Sequence, residues 1–349
     1  MSPPTTPAPI GEPPRVPPPN KPPPNIAGGT PITPPTPAPK AAAAPVQSLA
    51  AADIGALLAP SDAPRGYFVN VAGPEKYGKT TFAHGAPSPL FILTDRGGLK
   101  SLPKSTPKII PDSWDAILKA LYTVRDRPHN FGAIVLDTTF KAEAMLIKHL
   151  ITRDGKDSLR KVGGGWGAGT EQLEGEINKV IDVFFTLNER GIHTIAISQI
   201  ETKTEKDATV DDYERTALAL SKKTAKIWAA AADVNMYIQP EIEETERIEG
   251  PNAATADRVK VKFTGRALCH VRPTTGIQAG NRLFLDSPMV YSWAALMLGA
   301  AEGDELKDKL FAKLATLPPV EREKADYRLN AAGWSRAAAL AEINAPASK

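Results

Sequence analysis

The sequence predicts an α/β protein in which a mostly parallel sheet is flanked by helices. From about residue 65 onward, short apolar segments alternate with amphipathic segments at helical spacing, a pattern typical of parallel strands joined by helices. A second observation is the turn GPEKYGKT, which separates the first apolar segment from the first helical one. The third is size, because 349 residues with 42% hydrophobic side chains suffice for one large core or two modest ones.

The individual elements follow from local patterns. Apolar runs predict strands, and periodic apolar residues and capping residues predict helices. The predicted strands are 66–72, 89–94, 131–137, 192–198 and 234–238, followed by a late antiparallel hairpin from 259–263 and 267–272. One predicted helix is capped by Ser113. Further helices are predicted over 138–150, 171–190, 221–232 and 304–349, and the last is broken at Pro318 and Pro319.

Composition excludes several classes of protein. The net charge of +3 requires that any binding to nucleic acid use a local basic patch. The single cysteine, Cys269, excludes intramolecular disulfides. The sequence has no apolar run long enough for a membrane span and does not begin like a signal peptide. We therefore expect no membrane partner and a cytoplasmic location.

The chain divides into three predicted regions. Residues 1–60 form a Pro/Ala-rich tail, since 18 of the 34 prolines fall within residues 1–50. Such a segment has little to bury and favours extended, disordered geometry. It serves either as a solubilising tether or as a docking segment for a partner protein. Residues 64–290 form the main folded domain, and 291–349 form a helical C-terminal extension. A short helix is predicted within the tail, at 41–58.

The turn after the first strand matches the phosphate-loop pattern G-x-x-x-x-G-K-[ST]. In such a loop the backbone N–H groups and the N-terminus of the next helix surround phosphate oxygens. Lys79 is expected to reach the β- and γ-phosphates, and the Thr80 hydroxyl to bind Mg²⁺. The predicted nucleotide-binding residues are Gly73, Pro74, Glu75, Lys76, Tyr77, Gly78, Lys79, Thr80 and Thr81.

A second metal ligand is predicted at Asp137, the last residue of the apolar strand FGAIVLD. Carboxylates at this point in P-loop proteins hold Mg²⁺. The alternative is that Asp137 caps the helix that follows. In the metal-binding interpretation, Asp137 and the phosphate loop lie at the carboxyl ends of neighbouring parallel strands.

These motifs resemble a known family. GPEKYGKTT resembles the phosphate loop of RecA recombinases, and residues 64–290 resemble the phage-type RecA-like AAA ATPases, which include phage single-strand annealing ATPases. The further matching pieces are TDRGGLKSL, the strand ending in Asp137, WGAGTEQLEGEINKVIDVFFTL, the strand ending in Ser198-Gln199, AADVNMYI and AGNRLFL. The resemblance implies a RecA-like core that hydrolyses ATP with Mg²⁺ as a homo-oligomer.

The resemblance also implies roles for three further residues. Asp95 corresponds to the acidic residue that polarises the attacking water, although it could instead cap the turn before Gly97. Gln199 corresponds to the polar sensor of the γ-phosphate, although a glutamine at a strand end could simply be solvated. Arg282 corresponds to an arginine finger for a neighbour's nucleotide, or else is a surface arginine.

Binding of single-stranded DNA is a further implication of the resemblance. The loop 153–170 carries four basic and two acidic side chains, several glycines and Trp166, which could stack on a base. The segment 200–215 has three positive and six negative side chains, which opposes phosphate contact, and the acidic run 241–249 is expected to be a solvated hairpin or loop. We therefore expect an ATPase of phage DNA recombination or replication, or alternatively a nucleotide-dependent protein-binding switch that does not touch DNA.

Overall fold

The computed structural model describes residues 65–345 except 206–212, 249–257 and 275. The predicted tail lies outside the described residues. The strands are β1 (Phe68–Ala72), β2 (Pro89–Leu93), β3 (Lys108–Ile109), β4 (Ala133–Asp137), β5 (His193–Ser198), β6 (Ile200–Glu205), β7 (Tyr213–Leu218), β8 (Val234–Ile248), β9 (Arg258–His270) and β10 (Gly280–Asn281). The α-helices are α1 (Lys79–His84), α2 (Trp114–Asp126), α3 (Thr139–Arg153), α4 (Ala168–Glu189), α5 (Lys222–Ala231), α6 (Trp293–Thr316), α7 (Pro319–Ala331) and α8 (Arg336–Asn344). Two short 3₁₀ helices cover Arg96–Ser101 and Leu159–Gly164.

The main sheet has the strand order β10-β8-β1-β5-β4-β2-β3, with β9 paired to β8. The central pairs β8–β1, β1–β5, β5–β4, β4–β2 and β2–β3 are parallel. The late strands β9 and β10 pair with β8 in the antiparallel direction. The predicted fold class, a mostly parallel sheet flanked by helices with late antiparallel strands, is confirmed.

One expectation about strand order is wrong. β1 and β4 are not neighbours, because β5 pairs with both of them and lies between. The order of the strands along the chain does not reveal their order in the sheet. β5 begins more than fifty residues after β4 ends, yet it lies between β4 and β1. The phosphate loop must therefore extend across the end of β5 to reach Asp137.

The predicted hairpin from 259–263 and 267–272 is also wrong. Residues 259–263 and 267–270 belong to one strand, β9, which pairs with β8 on both sides of a bulge. The Thr264-Gly265 pair resembles a turn, but Gly265 has a φ of 82° and lies at a bulge, where the register shifts between Pro240 and Ile242. The acidic residues from Glu241 to Glu246 lie in β8, which pairs antiparallel with β9, so they fit the hairpin alternative rather than the loop, and Glu249 lies outside the described residues. The described residues of 200–215 lie in β6 and in the beginning of β7, which pair with each other in the antiparallel direction.

Each face of the sheet is covered by its own set of helices. Because side chains alternate along a strand, Phe68 lies with Phe184 and Trp228 on the face covered by α2, α3, α4 and α5. Val69 and Val71 lie on the opposite face, where Phe82 of α1 and Leu296 of α6 are buried. Burial on both faces explains why the central strands read as almost continuous apolar runs.

A row of buried polar side chains interrupts the first of these faces. The Thr139 and Ser198 hydroxyls lie 2.8 Å apart, and Ser198 Oγ donates to Asn70 Oδ1 at 2.9 Å. Asn70 Nδ2 donates to Asn235 Oδ1 at 3.1 Å, and Asn235 donates to the Ala229 carbonyl at 2.7 Å. This polar row joins α3, β5, β1, β8 and α5, and its hydrogen bonds compensate the burial of its members.

The C-terminal helices form a smaller second core. α6 begins at Trp293, earlier than predicted, and Ser292 caps it. Its first half packs on the sheet, whereas Leu306, Leu310 and Leu314 in its second half pack against α7 and α8. Within the described part of the chain, none of the helices is both long and apolar enough to cross a membrane.

Candidate nucleotide-binding site

The loop between β1 and α1 has the geometry that a phosphate-binding turn requires. Gly78, immediately before α1, adopts a left-handed φ of 71°, which favours glycine. At Gly73 a Cβ atom would lie only 2.9 Å from the Ile238 Cβ, so this position has no room for a side chain. Both glycines of the motif therefore have backbone reasons to be glycine.

Lys79 closes over this loop. Its ammonium donates to the Gly73 carbonyl at 2.7 Å and also to the Pro74 carbonyl, and the side chain is only 8% exposed. Burial lowers the pKa of Lys79, while the nearby Asp137 and Glu75 act in the opposite direction. The loop thus holds a partly desolvated cation that phosphate oxygens could recruit from the two carbonyls.

Thr80 and Asp137 meet beside the loop. The Thr80 hydroxyl donates to Asp137 Oδ2 at 2.9 Å. Thr80 belongs to α1, which follows β1, and Asp137 ends β4, so the contact is made although β5 lies between these two strands. A hydroxyl and a carboxylate are oxygen ligands of the kind that Mg²⁺ binds, so this pair fits the predicted metal. Asp137 is 3% exposed.

Burial raises the pKa of Asp137 to about 6, more than offsetting the opposing effects of the Thr80 hydrogen bond and the Lys79 charge. The Asp95 carboxylate raises it slightly further. A buried carboxylate with a raised pKa is a group whose charge a bound cation would stabilise. Asp137 is not the helix cap that the alternative interpretation predicted. Thr138 is the N-cap of α3, and its side chain accepts from Lys141 N.

Sequence reasoning missed Thr94. Its hydroxyl donates to the Thr138 carbonyl at 2.8 Å, and it accepts from the Thr138 N–H at 2.7 Å. These bonds tie the end of β2 to the backbone directly after Asp137 and so fix the carboxylate's position. A threonine between a predicted strand and Asp95 was the available signal, but a local pattern cannot name a partner forty-four residues away.

The nucleotide cleft is a cavity of about 440 Å³ at the carboxyl ends of the strands. Asp95 and Gln199 both line it together with Lys79, Thr80 and Asp137. Asp95 Oδ1 accepts from Gly97 N at 2.9 Å and caps the 3₁₀ helix Arg96–Ser101. Asp95 therefore caps a turn and also lines the cleft. Gln199 directly follows the last residue of β5.

Arg282 lies at the other end of the sheet. Its backbone N–H donates to the Asp233 carbonyl, and its guanidinium donates to the Ala230 carbonyl at 2.6 Å and lies 3.6 Å from Asp233. Asp233 pairs with Phe68 at the beginning of β1. The length of β1 therefore separates Arg282 from its own phosphate loop.

Trp166 lies outside the cleft, in the predicted DNA loop. The side chain is fully exposed, with a φ of 53° among glycines 163–167. Arg153 and Lys161 pair with Asp154 and Asp157. In the described part of the chain, the remaining basic residues of this loop, Lys156 and Arg160, have no carboxylate within ion-pair distance.

A phosphate loop between a strand and a helix, with a hydroxyl and a carboxylate at its side, defines a P-loop nucleotide-binding domain. A family model described as AAA domain (AAA_24) matches residues 65–283. The chain therefore belongs to this AAA domain family.

Comparison with solved structures gives distant similarities. The chain is 13% identical to a RadB recombinase (TM-score 0.30, covering 51% of this chain and 79% of that one). It is 12% identical to the flagellar accessory protein FlaH from Methanocaldococcus jannaschii (0.29, 61% and 89%), and 13% identical to a KaiC-like protein from Pyrococcus horikoshii OT3 (0.30, 61% and 82%). No curated protein sequence matches the chain.

Proposed function

We propose that the protein is a Mg²⁺-dependent ATPase with a RecA-like core. The observation that carries this proposal is the contact between Thr80 and Asp137 in the cleft that also contains Lys79, in a chain of the AAA domain family. AAA domains generally bind ATP with Mg²⁺. The phosphate loop supplies backbone donors for the phosphates, and Thr80 and Asp137 supply oxygen ligands for the metal.

The chain's own groups account for the remaining chemistry. Lys79 exchanges its two loop carbonyls for phosphate oxygens, so its charge moves to where negative charge develops. Asp95 accepts a proton from the water whose oxygen bonds to the γ-phosphorus, while the bond from the γ-phosphorus to its bridging oxygen breaks and ADP leaves. Gln199 contacts the γ-phosphate from the end of β5. When bound, Mg²⁺ neutralises charge on the phosphates.

The central test is Lys79→Ala. It should abolish ATP hydrolysis in a steady-state assay, because the cation of the loop is lost. Lys119→Ala, an exposed lysine on α2, is the matched control and should retain full turnover. Full turnover by Lys79→Ala would reject the site.

The role of Asp95 has its own test. Asp95→Asn removes the base but keeps an oxygen that can accept from Gly97 N, so the turn should persist. We expect kcat to fall by about 10²- to 10⁴-fold with little change in KM. A variant with unchanged kcat would leave Asp95 only its capping role.

We further propose that the ATPase works as a homo-oligomer in which Arg282 acts on a neighbour's nucleotide. The position of Arg282 at the opposite end of the sheet from its own loop favours action between subunits. Arg282→Ala and Lys79→Ala should each be inactive alone. Mixing them should restore turnover, because a Lys79→Ala subunit can supply Arg282 to an intact loop, and absence of recovery would argue against this arrangement.

We propose single-stranded DNA as the ligand of loop 153–170, and phage DNA recombination or replication, in the host cytoplasm, as the setting. The supporting observations are the exposed Trp166 and the basic residues Lys156 and Arg160. Trp166→Ala should weaken binding of a fluorescent oligothymidylate about fivefold or more, whereas Trp166→Phe should retain a stacking surface. Tyr327→Ala, which removes another exposed aromatic side chain, on α7, is the control.

A second candidate is a nucleotide-dependent protein-binding switch. The segment 200–215, which follows Gln199 directly, is net negative, and this favours a protein partner over a phosphate backbone. The Pro-rich tail would be a further docking segment for such a partner. Absence of oligonucleotide binding at low salt with ATP present would favour this candidate.

A further inference from the structure

A second cavity, of about 550 Å³, lies beside β10, between the sheet and the C-terminal helices. We name it the basic aromatic pocket after its principal lining residues: Arg272, Arg282, Lys307, Phe284, Phe311 and Trp334. Within one chain, none of the residues that line it also lines the nucleotide cleft or belongs to loop 153–170, and only Arg282 is shared with the proposed action on a neighbour's nucleotide. It is therefore a separate site on the chain.

The charge of this pocket is positive. Among the described residues, three cationic side chains line it and no carboxylate does. Lys307 pairs with Asp304 at 2.8 Å, and Arg282 lies 3.6 Å from Asp233, so two of the cations have acidic neighbours behind them. Arg272 donates only to the Leu285 carbonyl, at 3.2 Å, and within the described residues no carboxylate balances its charge.

Aromatic rings form another part of the wall. Phe311 is 54% exposed, and its ring centroid lies 6.3 Å from that of Trp334, with an interplanar angle of 33°. The Trp334 indole is held in place because its Nε1 donates to Asn330 Oδ1 at 2.8 Å. The two rings thus present a partly exposed aromatic surface in the same pocket as the cations, and the buried Phe284 also lines it.

We propose that the basic aromatic pocket binds one nucleotide unit, with its planar base on Phe311 and Trp334 and its phosphate at Arg272 and Lys307. Aromatic faces stack on bases of any sequence, and cations contact the phosphate that each base carries. An apolar ligand would leave Arg272, among the described residues, without an anionic partner, and a simple anion would leave the aromatic rings unused. The unit belongs either to a nucleic acid strand or to a free mononucleotide, and both present the same chemistry.

The experiment uses the full chain carrying Lys79→Ala, with EDTA, so that the nucleotide cleft contributes little. An oligothymidylate containing 5-iodouracil is crosslinked by ultraviolet light and the modified peptides are mapped. We expect crosslinks at Phe311 or Trp334. Excess thymidine monophosphate reveals the source, since its competition indicates a site for a free nucleotide and its failure to compete indicates a strand.

Affinity measurements by fluorescence anisotropy complete the test. Phe311→Ala should weaken the oligonucleotide about fivefold or more, and Lys307→Gln should lower the slope of log K against log salt by about 0.7. The matched controls are Tyr327→Ala and Lys309→Gln, exposed residues of α7 and α6 outside the pocket. Thermal unfolding of each variant identifies any loss of folding.

The proposal is overturned if crosslinks are confined to other segments, including loop 153–170, or if Phe311→Ala and Lys307→Gln bind like their controls. It does not depend on the ATPase proposal, because neither readout involves hydrolysis. If the wild-type chain does not hydrolyse ATP but crosslinks are found at Trp334, the ATPase proposal is rejected and the proposal for the basic aromatic pocket is supported.

Discussion

Asp137→Asn should stabilise the protein while abolishing the proposed ATP hydrolysis. The wild-type carboxylate is buried, and its pKa is raised from 3.8 to about 6. At pH 7 it is ionised in both the folded and the unfolded state, so the shift of about two pH units costs about 3 kcal/mol of folding free energy. Asparagine keeps an oxygen that can accept from Thr80 and removes the buried charge.

The sign of the pH dependence follows from the direction of the shift. A carboxyl group whose pKa is higher in the folded state favours folding while it is protonated, below about pH 4. That contribution disappears as the pH rises through about 6. The difference in unfolding free energy between Asp137→Asn and wild type should therefore grow from near zero at about pH 3 to about 3 kcal/mol at pH 7.

Urea unfolding of both proteins at several pH values, without Mg²⁺, measures this difference. Thr80→Val, which removes the hydroxyl that donates to Asp137, is the control and should destabilise instead, because the buried carboxylate then lacks its donor. An Asp137→Asn variant that is less stable than wild type at pH 7 would refute the reasoning. Addition of Mg²⁺ with ATP should stabilise only the wild type.

Three further predictions concern the backbone and the packing. Gly78→Ala should cost about 1–2 kcal/mol in urea unfolding and weaken nucleotide binding, because its φ of 71° disfavours a side chain; an unchanged stability would contradict this. Glu143→Ala should cost about 1–3 kcal/mol, since the buried carboxylate accepts from Ser221 N at 3.0 Å and Thr224 Oγ1 at 2.8 Å; Glu143→Gln, which keeps an acceptor, should cost less. Leu310→Ala should cost about 2–5 kcal/mol by leaving a cavity between α6 and its neighbours; hydrogen exchange should show the loss first in α7 and α8, and uniform loss would contradict a separate C-terminal core.

The parts of the site that the sequence predicts are those with a local code. Gly78 and Lys79 belong to one continuous motif whose spacing encodes the turn, and Asp137 ends an apolar run where a strand must stop. The contact between Thr80 and Asp137 joins two such local signals, and each was predicted as a metal ligand on its own. Assigning both residues to one metal site therefore does not require knowing that β5 lies between β1 and β4.

The parts that the sequence does not predict depend on pairing between distant segments. Nothing in β5 indicates that it lies between β1 and β4, because parallel strands buried on both faces have similar apolar sequences. Gly265 resembled a hairpin turn because a bulge and a turn both use glycine at positive φ. The sequence does not predict the role of Thr94, because its partner Thr138 is identified only when β2 is paired with β4.

The polar row of Thr139, Ser198, Asn70 and Asn235 addresses the ambiguity that such apolar strands create. When both faces of a strand are buried, its hydrophobic pattern fits several alignments equally well. A slide of β1 by one residue would turn Asn70 toward the opposite face and leave its amide without these partners, at the cost of burying unsatisfied polar groups. By penalising misaligned pairing, one amide in the middle strand would select the alignment that brings Thr80 to Asp137.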